Sequence, residues 1–97
     1  MRNEELEKLK NFLGGTFHQD IDSPEQALVE FINEATEACL IKTLWYCEAF
    51  LNSELSIEEK VVIIHDNTEI YFAGIGTTPL NWLKDVIEQM KEAVKLK

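Results

Sequence analysis

Apolar residues recur every three or four positions along most of this chain, the spacing that places them on one face of a helix. Leu6, Leu9 and Leu13 share such a face over Asn3–Leu13, and Gly14-Gly15 marks the expected stop. Ser23-Pro24-Glu25-Gln26 is a helix start: Ser23 caps, Pro24 takes the first helical position and Gln26 completes a capping box. Ala27, Leu28, Phe31, Ile32 and Ala35 form the stripe that follows. From Thr36 to Leu51 the inward face carries Leu40, Leu44, Cys47 and Leu51, flanked by Ile41 and Trp45. One helix over 24–51 would be about 42 Å long, too long for so small a body. Asn33 and Thr36 are weak break signals, so two helices are expected.

The next segment reads two ways. Ser56-Ile57-Glu58-Glu59 is another capping box and argues for a helix to Asn67, with Ile57, Val61 and Ile64 inward. Val61-Val62-Ile63-Ile64 is β-branched, and with Asp66-Asn67 as a turn residues 60–73 suit a β-hairpin. The helix is preferred and the hairpin kept as the alternative. Glu69–Gly76 is expected to be extended. Thr78-Pro79 then opens the last helix, with Leu80, Leu83, Ile87, Met90 and Val94 on one seam and lysines toward its end. The sum is an all-α fold, a small bundle of four or five helices in a single domain over 1–97.

Length and composition add bounds. Ninety-seven residues hold one core. No stretch approaches the roughly 20 apolar residues that span a bilayer. The opening MRNEELEKLK is charged and lacks the apolar run of a signal peptide, so a cytoplasmic protein is expected. Cys39 and Cys47, if on one helix, stand about 12 Å apart along its axis, beyond disulfide reach. Both are expected on the core face as small apolar groups.

Charge changes the picture most. The net charge is −9, and residues 11–70 hold twelve acids against two bases, a balance of −10. Phosphate contacts need a basic surface, so a nucleic-acid binder is excluded, and anionic membranes are disfavoured for the same reason. A basic protein partner would be attracted; the blander reading is that acidity only keeps the chain soluble.

The segment GGTFHQDIDSPEQ concentrates polar chemistry, and His18 is its one candidate catalyst. A triad would need His18 beside Cys39 or Cys47, with Asp20 orienting the ring, yet thiols on a core face are inert. There is no CxxC, no HExxH and no histidine pair at i, i+4 to join His18 or His65 in a metal site. Asp20 and Asp22 lack the further acids of a calcium loop, and no GxxxxGK[ST] is present. No catalytic residue, metal or cofactor is expected. Phe17 is better read as a core residue, and Asp20 and Asp22 as acids placed ahead of a helix N-terminus. Trp45, Tyr46, Tyr71 and Trp82 read first as packing residues.

Taken in order, these features resemble a known family. GGTFHQDIDSPEQAL follows a short first helix, a capped SIEEKVVIIHDN comes next, and YFAGIGTTPLNWLKDVIEQM closes the chain. The pattern is similar to the immunity proteins of contact-dependent growth inhibition systems, the CdiI type, which carry a YFHQDWD…sPEE signature and a late WL. Phe17, His18, Gln19, Asp20 and Asp22 match in order, followed by Ser23-Pro24-Glu25, and Trp82-Leu83 gives the closing match. Ile21 stands where a Trp is usual, and the spacer between Asp22 and Ser23 is absent.

The resemblance implies a helical protein without catalysis that binds the C-terminal toxin domain delivered by a neighbouring bacterium. Toxins of this group are often nucleases, and one branch of the family is paired with an RNase A-like toxin. An acidic surface suits that partner, because a cleft that holds RNA is basic. The toxin-binding set expected on this basis is Asp20, Asp22, Glu25, Glu30, Glu34, Glu37, Glu48, Asp66 and Glu69, with Tyr46 or Tyr71 as apolar anchor. Phe17, His18, Gln19, Asp20 and Trp82, as family-motif residues, are expected to hold the fold.

Two rival readings stand beside this one. A generic acidic helical adaptor or regulatory subunit predicts no toxin encoded upstream. An enzyme using His18 predicts that His18→Ala abolishes activity without changing stability.

Overall fold

In the computed structural model the described residues are 2–18 and 23–96, and among them the regular elements are all helices. They are α1 (Asn3–Thr16), α2 (Pro24–Glu34), α3 (Glu37–Leu51), α4 (Ile57–Asn67), the single-turn α5 (Phe72–Ile75) and α6 (Pro79–Leu96).

Four starts follow from side-chain caps. Ser23 Oγ accepts from the Gln26 N–H at 3.1 Å, Thr36 Oγ1 from Cys39 at 3.1 Å, Ser56 Oγ from Glu59 at 3.1 Å and Thr78 Oγ1 from Asn81 at 3.3 Å. Each satisfies a backbone donor that the first turn leaves unpaired. The Thr36 cap splits 24–51 into two helices, with Ala35 extended between them (ψ 145°). Gln26 does not close the expected box; its side-chain amide donates instead to Glu30 at 3.4 Å.

Three expectations are corrected. Helix α1 does not stop at Leu13 but runs through Gly14 and Gly15 to Thr16. The reason is Phe17, fully buried one residue further on, whose N–H bonds to the Leu13 carbonyl at 2.9 Å; burying a phenyl ring outweighs the roughly 1 kcal/mol that each glycine costs a helix. The preferred helix over 57–67 holds against the hairpin alternative, since the Ser56 cap forms and Ile63 and Ile64 pack on the core. Ile57, placed inward by the pattern, is 69% exposed, since the first turn of α4 projects beyond the core. The 69–76 segment is extended only as far as Tyr71, where α5 begins, and Gly76 ends that turn in the left-handed region at φ 73°.

Helices α1, α3, α6 and α4 close a ring, each packed on the next, around Leu9, Leu13, Leu40, Cys47, Phe50, Ile64, Leu83 and Met90. Helices α3 and α6 run parallel, which brings Lys91 to Glu48 at 3.6 Å. Helices α1 and α4 finish together: the Glu69 N–H donates to the Phe17 carbonyl at 2.8 Å. Helix α2 touches α1 and α6, the diagonal pair, and so lies across the end where α1 stops and α6 starts. That end is sealed by a run of rings. Phe31 meets Phe12 at 4.9 Å, Phe12 meets Phe17 at 5.7 Å, Phe17 meets Trp82 at 4.8 Å and Trp82 meets Phe72 at 5.7 Å, all edge-on. Lys60 reaches back to the Leu51 carbonyl at 2.8 Å and caps the end of α3.

Candidate functional site

The acids of the 11–70 stretch fall in three places. On α2 the apolar stripe of Ala27, Leu28 and Phe31 turns inward, which leaves Glu25, Glu30 and Glu34 exposed; Glu37 is exposed at the start of α3. Glu30 and Glu34 lie one turn apart on one face of α2 and Glu37 follows at the start of α3, an acidic edge at the α2–α3 corner, whereas Glu25 lines a recess against α6 with Asp85 and Gln89. Asp20, Asp22 and Gln19 lie outside the described residues.

A second acidic corner sits beyond α4. Residues 68–72 alternate: Thr68, Ile70 and Phe72 are buried, while Glu69 and Tyr71 are exposed. The alternation is that of extended backbone, and it is fixed by the Glu69–Phe17 bond and by the Thr68 hydroxyl, which donates to the Ile64 carbonyl at 2.9 Å. Asp66 is exposed in the preceding turn. Tyr71 is 77% exposed, and its ring lies over Gly74, where an added Cβ would come within 2.9 Å of it.

Glu48 stands apart. It is half-buried between α3 and α6, and Lys91 at 3.6 Å offsets its charge. Tyr46 is half-buried as well, in a crevice between α1 and α3 shared with Arg2, Glu5 and Lys8. Along the chain, Glu30, Glu34 and Glu37 therefore fall at the α2–α3 corner and Asp66, Glu69 and Tyr71 beyond α4, while Glu25 faces α6, Glu48 pairs with Lys91 and Tyr46 sits in the α1–α3 crevice.

Several acids sit where helices disfavour them. Glu34 is the last residue of α2, Glu48 lies in the last turn of α3 and Asp66 in the last turn of α4. Carboxylates there face the negative end of the helix dipole, at a cost of about 0.3–1 kcal/mol each. Their placement is not what stability alone would select.

The other chemistry candidates separate. Cys47 is buried, and burial, with Glu48 next to it, pushes its thiol up to about 12, so it stays protonated at neutral pH. Cys39, expected on the core face, is exposed, because it lies a quarter-turn away from Leu40 on a helix whose apolar residues extend beyond the buried face. His18 is exposed beside the buried Phe17. Among the described residues no three His, Cys, Asp or Glu side chains converge to hold a metal. Phe17 and Trp82, the two ends of the sequence motif, pack on each other in the core.

Sequence reasoning missed the outward face of α3. Ile41 is 48% and Trp45 53% exposed, one turn apart, with the Trp45 indole edge-on to Tyr46 at 5.4 Å. The signal was present: α3 carries apolar residues beyond the single face that the core covers.

The family model of the CdiI immunity protein matches residues 5–90. The chain belongs to the CdiI immunity protein family. Membership implies a cognate toxin as binding partner. Comparison with curated proteins and with solved structures returns no match. Among the described residues no helix is long and apolar enough to cross a membrane.

Proposed function

We propose that this protein neutralises its cognate toxin, a basic nuclease acting on RNA, by laying the acidic α2–α3 edge over the toxin's substrate cleft. Its role is occlusion in the cytoplasm, without catalysis and without cofactor. The observation that carries the reading is the exposed row Glu30, Glu34 and Glu37, with Glu34 set against the dipole of its own helix. A residue kept at a stability cost is one whose charge serves another purpose. Asp20, Asp22 and Glu25 are assigned to the contact surface as well, and Asp66, Glu69 and Tyr71 form a second contact region. Glu48 is left out because Lys91 already answers it. Phe17, His18, Gln19, Asp20 and Trp82 serve the fold around the α1–α2 connection.

Cationic clefts that hold RNA attract such an edge, and complementary charge raises association rates from about 10⁵–10⁶ toward 10⁸–10⁹ M⁻¹s⁻¹ at low salt. The test is competition. The toxin domain encoded beside this chain is expected to cleave RNA, to lose that activity at one equivalent of this protein, and to release a non-cleavable RNA as the protein binds. A ternary complex of toxin, RNA and this protein would contradict occlusion.

A further inference from the structure

We infer that the outer stripe of α3, Ile41 and Trp45, is the apolar anchor of the toxin interface, received by an apolar pocket at the rim of the toxin's basic cleft. The inference rests on the toxin-binding reading above and adds to it the residues that hold the complex together.

Three observations carry it. First, α3 buries Leu40, Cys47 and Phe50, and half-buries Leu44 and Leu51, on the side that faces the ring. Ile41 lies on the flank of that face and Trp45 beyond it at the mouth of the α1–α3 crevice, and neither belongs to the buried core. Apolar residues beyond the buried face of a helix call for cover on a second side. Second, the indole is pre-placed. Tyr46 holds it edge-on at 5.4 Å and 77°, which lowers the side-chain entropy lost on binding. Third, Glu37, Ile41 and Trp45 follow one another at four-residue spacing, so the stripe starts in the acidic edge and runs down α3. A basic partner drawn to Glu30, Glu34 and Glu37 meets this stripe next. Central aromatic anchors beside charged groups are the usual hot-spot arrangement, with tryptophan the most enriched residue.

A second copy of the chain is a poor occupant. Each copy carries −9.

The test uses the full chain and the toxin domain encoded beside it. Association and dissociation rates are measured for the wild type, Trp45→Ala, Ile41→Ala and the triple variant Glu30→Lys, Glu34→Lys, Glu37→Lys. Trp45→Ala is expected to dissociate at least tenfold faster, with its association rate within about twofold of wild type. The triple variant is expected to show the reverse pattern. Acrylamide quenching supplies an independent readout: Trp45 is 53% exposed and Trp82 only 7%, so the difference between wild type and Trp45→Phe isolates the outer indole. That difference is expected to vanish in the complex. An outer indole still quenched in the complex, with wild-type dissociation for Trp45→Ala, overturns the anchor; the toxin-binding reading survives if the triple variant still associates slowly. No binding by the wild type overturns both. A concentration-dependent dimer of the free protein, lost in Trp45→Ala, also overturns the anchor and assigns the stripe to self-association.

Discussion

Helices α3 and α6 lie side by side and run the same way, yet they distribute their apolar residues differently. In α6 the buried set Trp82, Leu83, Val86, Ile87 and Met90 forms one seam, and Lys84, Asp85, Glu88 and Gln89 occupy the solvent side. Folding accounts for that whole pattern. In α3 a comparable seam exists, but the solvent side adds Ile41 and Trp45. A chain selected only to fold gains nothing from an exposed indole. The difference teaches where to look for partner-directed sequence: in the apolar groups that remain after the core is complete.

The largest expected effect comes from the two thiols of α3, which report its two faces directly. Cys39 is exposed and Cys47 is buried, its thiol held near 12. At pH 7.5 a thiol reagent is expected to modify Cys39 at least ~10³-fold faster than Cys47, because the thiolate is the reacting form. Both should react after denaturation. Equal native rates would mean that α3 does not sit in the ring as described.

Next in size is the contrast between Phe17 and Trp45. Phe17 is fully buried and touches both Phe12 and Trp82. Phe17→Ala is expected to cost about 3–5 kcal/mol in urea unfolding, a large share of the stability of a domain this size. Trp45→Ala should stay within roughly 0.5 kcal/mol, as surface changes do. A large loss at Trp45 would assign it to the core after all.

Smaller effects probe local conflicts. Gly15 sits inside α1, and a Cβ there would meet nothing within 4 Å. Gly15→Ala should therefore raise stability by about 0.5–1 kcal/mol. Smaller still, Glu34→Gln is expected to raise stability by a few tenths of a kcal/mol, removing a carboxylate from the C-terminal end of α2, while slowing toxin association. A variant that gains stability without losing association would separate Glu34 from the binding edge.

Much of the fold was legible in the sequence because caps and seams agreed. Ser23, Thr36, Ser56 and Thr78 each mark a helix start that the structure keeps. The all-α class and the final seam through Leu83, Ile87 and Met90 followed from period alone. What escaped depended on distant packing. Gly14-Gly15 is a stop signal in isolation, but Phe17 draws the helix past it. Ile57 fits the inward phase of α4, yet the core ends before reaching it. The outer face of α3 escaped for the opposite reason: local apolarity was read as burial, and only the ring of α1, α3, α6 and α4 shows which side is covered. For the site, the acids could be counted from the sequence, but their grouping could not. Glu48 and Tyr46 look like the rest by composition, and only packing shows one paired with Lys91 and the other in the α1–α3 crevice.

The claim that exposed acids steer this protein onto a basic toxin is tested most directly by stopped-flow association across ionic strength. Wild-type protein is compared with the Glu30→Lys, Glu34→Lys, Glu37→Lys variant against the toxin domain encoded beside it. The account predicts a wild-type rate that falls steeply with salt, a variant rate at least tenfold lower at low salt with a flatter slope, and convergence of the two once charges are screened. Superimposable rates for the two proteins at low salt would contradict it.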